Sequence, residues 1–281
     1  MKPFWCSKVS GNKLKFNGDE LVVKKASKGA INRVDKLCDE ENEYKRKKVY
    51  LPYIFSIIQI VALCIAGIGA LSLYLGAEYD IVSLDDFEWR VVILLTVLSG
   101  VVLFGIFGYE KLRQINYEKS DICAEYNARI DNMFDSIYLE MGVPIDAPYV
   151  DFLHFNYRLN GAGVVPVKTE KYSQLFNIWD FKFYSDNKKL YMASDEAVYA
   201  IDIASIKGIK KIDEPISISV DRRQKKRIAK FEKCNVKGRF GTYKIESYYI
   251  MGFEHKSDLW GLYFPWYELP VIEELTGIKA Q

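Results

Sequence analysis

Residues 51–76 read LPYIFSIIQIVALCIAGIGALSLYLG, and residues 91–109 read VVILLTVLSGVVLFGIFGY. Neither stretch contains Asp, Glu, Lys, Arg or His. As helices rising ~1.5 Å per residue they would be about 39 Å and 28 Å long, against a hydrocarbon core of about 30 Å in a bilayer. A helix of a soluble domain keeps a polar face opposite its apolar stripe, and neither stretch has one. The pair predicts a transmembrane hairpin over residues 49–109, with spans at 51–76 and 91–109.

The flanks of the spans predict its orientation. Lys45-Arg46-Lys47-Lys48 precede the first span, and Lys111 and Arg113 follow the second. The connector is acidic, with Glu78, Asp80, Asp85, Asp86 and Glu88 against Arg90. Lys and Arg excess marks the cytoplasmic side of short flanks, so both termini are expected in the cytoplasm. Tyr50, Tyr53, Tyr74, Tyr79, Trp89 and Tyr109 sit at the depths of an interfacial aromatic belt. A cleaved signal peptide would be shorter, nearer the N-terminus and not followed by a second span. Residues 1–50 carry 13 Lys and Arg against 7 Asp and Glu, which suits a surface facing anionic headgroups. Cys6, Cys38, Cys64, Cys123 and Cys234 are scattered, a spacing that suits reduced thiols rather than a disulfide framework or a CxxC metal site.

Four regions follow. Residues 1–48 are read as a cytoplasmic N-terminal segment: a small hairpin over 12–24 turning at Asn17-Gly18, then a helix capped by Ser27 and carrying Ile31, Val34, Leu37 and Tyr44. After the hairpin, residues 110–142 are read as one continuous helical stalk. Leu112, Ile115, Ile122, Tyr126, Met133, Ile137 and Met141 recur at helical spacing, and Gly142 before Pro144 stops it. Its apolar side needs a partner, either the pre-span helix lying antiparallel or a second copy of the chain. Residues 143–281 change to period two. Trp179, Phe181 and Phe183 begin a series of short strands, and Leu269, Ile272 and Leu275 mark a closing helix that ends at Gly277. The fold class is therefore an α+β membrane protein, a two-helix hairpin with a stalk joined to a small antiparallel β-barrel capped by one helix.

Within this last region, Leu190-Tyr191-Met192, Val198-Tyr199-Ala200-Ile201 and Ile206-Lys207-Gly208-Ile209 resemble the central strands of bacterial pleckstrin-homology-like domains. Tyr263 to Pro270 and Leu275-Thr276-Gly277 resemble their last strand and capping helix. In layout the chain is similar to uncharacterised Firmicutes membrane proteins that join a two-span hairpin to such a domain. The resemblance implies an assembly or interaction module, and it carries over no catalytic or ligand residue.

Chemistry-bearing patterns are few. No GxGxxG, Walker loop, GxSxG or HExxH occurs. His154 and His255 are about a hundred residues apart and read as structural or surface residues. Gly161-Ala162-Gly163 reads as a turn. One run exceeds background: Arg222, Arg223, Lys225, Lys226, Arg227, Lys230 and Lys233, read as a loop between strands. It is a solvated loop, a contact for anionic lipid headgroups, or a contact for an acidic partner. Nucleic acid is disfavoured because base-stacking aromatics are missing, apart from Phe231. In the spans, Ala62, Ala66 and Ala70 with Gly100 and Gly105 offer small-residue surfaces for helix packing within the hairpin or between copies. Gln59 is the most polar side chain there, and no ionisable group suits a proton-coupled transporter.

These observations predict a non-enzymatic tether, scaffold or sensor at the inner membrane surface, with no metal or cofactor. Its partners would be the bilayer, an unidentified protein or a second copy. The alternative is an effector whose oligomerised hairpins form a pore, for which only Ser56, Gln59, Ser72, Thr96 and Ser99 could line the path.

Overall fold

The computed structural model describes residues 1–8, 20–79, 86–160, 163–166, 176–220, 224–239 and 241–281. The expected hairpin turn at Asn17-Gly18, residues 80–85 of the acidic connector, Gly161-Ala162, and Arg222 and Arg223 lie outside them. In chain order the elements are β1 (Lys2–Pro3), β2 (Cys6–Lys8), β3 (Val22–Lys25), α1 (Lys28–Lys48), α2 (Tyr53–Tyr79), α3 (Asp86–Glu118) and α4 (Asp121–Met141). Then follow β4 (Tyr149–Asn160), β5 (Gly163–Pro166), β6 (Phe176–Ser185), β7 (Lys189–Ala193), β8 (Ala197–Asp202), β9 (Ile206–Ile212) and β10 (Ile216–Ser219). The chain ends with α5 (Lys225–Lys233), β11 (Gly238–Arg239), β12 (Thr242–Ile245), β13 (Tyr248–His255), β14 (Asp258–Pro265) and α6 (Leu269–Thr276). It divides into two compact units, residues 1–31 with 134–281, and residues 32–133.

In the helical unit, α2 and α3 are each long and apolar enough to cross a membrane. Only 11% and 6% of their most apolar windows are buried. Along α2 the covered positions include Phe55, Gln59, Ala62, Ala66, Gly69 and Leu73; along α3 they include Val92, Thr96, Ser99, Leu103 and Ile106. Steps of four and three residues on both helices form a coiled-coil-like seam. A Cβ on Gly69 would collide with the Thr96 hydroxyl, so this glycine sets the approach of the helices. Ala62 is in the seam and Ala66 at its margin, whereas Ala70 and Gly105 are exposed and Gly100 is half-exposed. The small-residue surface thus runs through Gly69 rather than Ala70.

The stalk is interrupted. Expected as one helix from 110 to 141, it breaks between α3 and α4, where the Ser120 hydroxyl accepts from the Cys123 N–H (3.3 Å) and donates to the Tyr117 carbonyl (2.6 Å). Ser120 is an N-cap, the residue type that ends one helix and starts the next. Helix α1 begins as expected at Ser27, whose Oγ accepts from the Ala30 N–H at 3.2 Å. It runs antiparallel to α3 and α4: Glu40 pairs with Arg129, Tyr44 packs on Tyr126 and Tyr117, Glu41 accepts from the Tyr117 hydroxyl, and the Lys48 carbonyl accepts from Arg113.

In the strand-rich unit the sheets are open, not a closed barrel. Among the described residues there are three, ordered β2-β4-β6-β7-β8-β3 with β5 on β4, β1-β14-β13-β9, and β10-β12-β11. Strands β12 and β13 are separated by Glu246-Ser247. Strand β4 is buried on both faces. Val150 and Phe152 join Phe181, Phe183, Met251, Phe264 and Ile272 in one core, while Leu153, Phe155 and Tyr157 join Ile218, Phe231, Ile245 and Tyr248 in another. Helix α6 closes the first core through Ile272, and Gly277 ends it at φ +68°, where a side chain would be strained.

The N-terminal segment is not separate from this unit. Strand β1 pairs in parallel with β14, β2 in parallel with β4, and β3 antiparallel with β8. Phe4 is 1% exposed, inside the first core, edge-on to Tyr199 and Phe253. Its N–H donates to the Gly261 carbonyl at 2.7 Å. Leu21 is buried in the same core.

Candidate functional site

From Lys225 to Lys233 the basic run is a helix, not a loop. Once Lys, Arg, Gln and Ala, all good helix formers, are read by period rather than charge, Ile228 and Phe231 stand three apart on one side of α5. Phe231 is fully buried in the second core. Arg227 and Lys230 share this inward side, with side chains 11% and 27% exposed. The Arg227 guanidinium lies 3.6 Å from Asp151 Oδ1, donates to Asp180, and reaches the Ile178 carbonyl (3.2 Å) and Gln224 Oε1 (3.0 Å). The Lys230 ammonium pairs with Glu268, stands 3.7 Å from Asp151 Oδ2 and donates to the Tyr149 carbonyl at 2.9 Å. Of the other candidates, Lys226 and Lys233 are exposed and Lys225 opens the helix.

The carboxylates come from far apart. Asp151 is on the α5-facing side of β4, and Glu268 lies in the turn between β14 and α6; each is 2% exposed. Glu268 Oε1 accepts from the Asp151 N–H (2.8 Å), and the Tyr267 hydroxyl donates to Asp151 Oδ2 (2.9 Å). Burial pushes the Glu268 carboxyl up to about 7 and also raises Asp151 and Tyr267; Lys230 and Arg227 pull the carboxylates back. Buried charge persists only when paired and hydrogen-bonded. The network therefore clamps α5 to β4 and to the start of α6.

Beside this clamp is an open groove of about 610 Å³. The end of α5 forms one wall with Lys233, Cys234 and Asn235. Tyr249 of β13, Lys211 of β9 and Trp266 complete its main surfaces. Asn235 holds a left-handed conformation (φ 55°) in which its N–H donates to the Glu232 carbonyl, ending α5 where the groove begins.

The histidines do not meet. His154 is buried, stacked on Trp179 (5.1 Å between ring centres) and edge-on to Trp5, and neither ring nitrogen has a hydrogen-bond partner among the described residues. Burial alone depresses its pKa to about 4. His255 stands 3.7 Å from Glu20. Among the described residues no three His, Cys, Asp or Glu side chains group as a metal site.

Comparison with protein-family models, curated proteins and solved structures gives no match. The geometry alone therefore carries the functional reading.

Sequence reasoning missed Asp151 and Glu268. The available signal was a carboxylate inside an apolar strand, Val150-Asp151-Phe152-Leu153, and another between Tyr267 and Leu269. The rarity of fully buried Asp and Glu then calls for a cationic partner.

Proposed function

We propose that the chain is a two-span membrane protein whose strand-rich unit is a non-enzymatic interaction module on the cytoplasmic side. The observation that carries this reading is the composition of that unit. Residues 1–31 and 134–281 share one core, with Phe4 inside it. Chain segments on opposite sides of a bilayer cannot share a core, so an even number of spans must separate them. Helices α2 and α3, apolar and almost wholly uncovered, are two. The Lys and Arg excess at both outer ends favours the cytoplasm for the shared side.

The antiparallel run β4-β6-β7-β8 and the closing helix α6 keep a likeness to pleckstrin-homology-like domains as part of this proposal. Contact with anionic headgroups through the basic run loses support, because Arg227 and Lys230 are spent on internal carboxylates. The pore alternative also weakens: Gln59, Thr96 and Ser99 sit in the seam between α2 and α3 rather than on an outer face.

The test is extraction and labelling. The protein should remain in membranes at alkaline pH. In a variant lacking the five native cysteines, an impermeant maleimide applied to intact cells should label a cysteine at Ser83 and none at Ser257. Release at alkaline pH, or labelling at Ser257, would overturn the reading.

A further inference from the structure

We propose that the groove between the end of α5, β13 and the start of α6 docks a short acidic peptide segment carrying an aromatic or aliphatic anchor. This deepens the interaction-module reading by naming the partner's chemistry, and rests on that reading. The groove has the volume of an ordinary ligand site but is open to solvent, which suits an extended chain better than an engulfed small molecule.

Its surfaces divide into two kinds. Trp266, 38% exposed, stands edge-on to Tyr267, while Tyr249 is stacked on Phe264 at 5.9 Å. Both rings are therefore backed by rigid aromatic neighbours. Rigid, partly exposed aromatics are the usual anchors of peptide and protein interfaces. Leu269 adds an aliphatic surface between them.

The charged part is of one sign. Lys211 and Lys233 both line the groove, and none of its described lining residues is acidic. The nearest carboxylate of the clamp, Glu268, is already paired with Lys230. Lys211 contacts Asp213 at 2.6 Å with both side chains largely exposed. Such an exposed surface pair is weak and yields to a carboxylate that brings apolar contact with it. Asn235 and Ser247 supply neutral hydrogen-bonding groups along the same wall. Two cations, a polar edge and a rigid aromatic floor together complement acidic residues interleaved with an apolar side chain.

The test uses the full chain in a non-ionic detergent with an array of fluorescein-labelled heptapeptides. Each has glutamates around one variable central residue, and a matching array has lysines in place of glutamates. The expected result is saturable binding to acidic peptides with Trp, Phe or Leu at the centre, weakened by salt, and none to the lysine array. Lys211→Glu with Lys233→Glu should lower affinity at least tenfold, and Trp266→Ala at least fivefold. Lys188→Glu, on the remote turn between β6 and β7, should change it less than twofold. Equal binding to both arrays, no saturable binding, or an undiminished double charge reversal would each overturn the proposal. Soluble short-chain phosphatidylglycerol is the comparison ligand; if it binds through Lys211 and Lys233 while the acidic peptides do not, the groove belongs to headgroups and the peptide proposal fails. None of these outcomes bears on alkaline extraction, so failure here is separable from failure of the two-span reading.

Discussion

Replacing Phe4 with alanine should destabilise the strand-rich unit by about 4 kcal/mol. Truncating a buried Phe costs about 3–5 kcal/mol through lost transfer energy and the cavity left behind. Phe4 belongs near the middle of that range: it is 1% exposed, and it sits edge-on to Tyr199 and Phe253 at 6.1 and 6.0 Å. The loss is a large share of the ~5–15 kcal/mol typical of a whole domain. Unfolding of the full chain by urea in detergent can be followed by tryptophan fluorescence. Trp5, Trp179, Trp260 and Trp266 all lie in the strand-rich unit, and only Trp89 lies outside it. With m near 2–3 kcal/mol/M, the midpoint should fall by about 1.5 M. Val23→Ala, on the exposed side of β3, should stay within about 0.5 kcal/mol of the native chain. A Phe4→Ala midpoint matching that of Val23→Ala would show that the N-terminal strands are not part of the core, and the shared-core argument for an even number of spans would fall with it.

Three other outcomes are expected. Lys230→Ala leaves Glu268 and Asp151 buried without their ammonium and should cost about 3–5 kcal/mol. The penalty should shrink between pH 8 and pH 6, because proton uptake by Glu268, already raised to about 7, relieves the uncompensated charge; equal penalties at the two pH values would refute this. His154→Phe removes an imidazole with no partner and should stabilise by about 1 kcal/mol at pH 7. Its advantage should grow by a further ~2–3 kcal/mol at pH 4.5, since a histidine held near pKa 4 loses stability as pH falls below its unfolded value of 6.5; an advantage that does not depend on pH would show that the ring is not buried neutral. Gly69→Ala should lower the thermal stability of the helical unit in detergent, with Thr96→Ala restoring it and Gly105→Ala, which has open space, neutral; additive effects of the first two would refute the close approach.

What could be read from sequence was what leaves a local mark. Two uncharged runs specified α2 and α3, Ser27 announced α1, and Gly277 announced the end of α6. Ser120 followed by Asp121 was an equally local sign of the break between α3 and α4, hidden by apolar positions that keep their period through it. Helix α5 was obscured because seven cations in twelve residues suggest solvent, although Ile228 and Phe231 already defined an inward face. The pairings of β1 with β14 and β2 with β4 leave no local signal, since two- and three-residue strands lack a period of their own. The clamp was invisible for the same reason, because Asp151, Arg227 and Glu268 come together only once the chain has folded around α5.

The pairing of Pro3 with Gly261 also sets an order of events during synthesis. Strand β1 can be completed only once β14 has been made. At roughly 5–20 residues per second, Pro3 waits on the order of ten to fifty seconds for Gly261 while the intervening elements, the two apolar helices among them, are made. Throughout that interval Phe4 and the open edges of β1, β2 and β3 are exposed to any strand or chaperone that meets them. If α2 and α3 span a bilayer as proposed, a Phe4 stranded on the far side would leave a hole in the core. On the two-span proposal, assembly of the strand-rich unit would report that both outer segments of the chain had stayed on one side, whichever side that is.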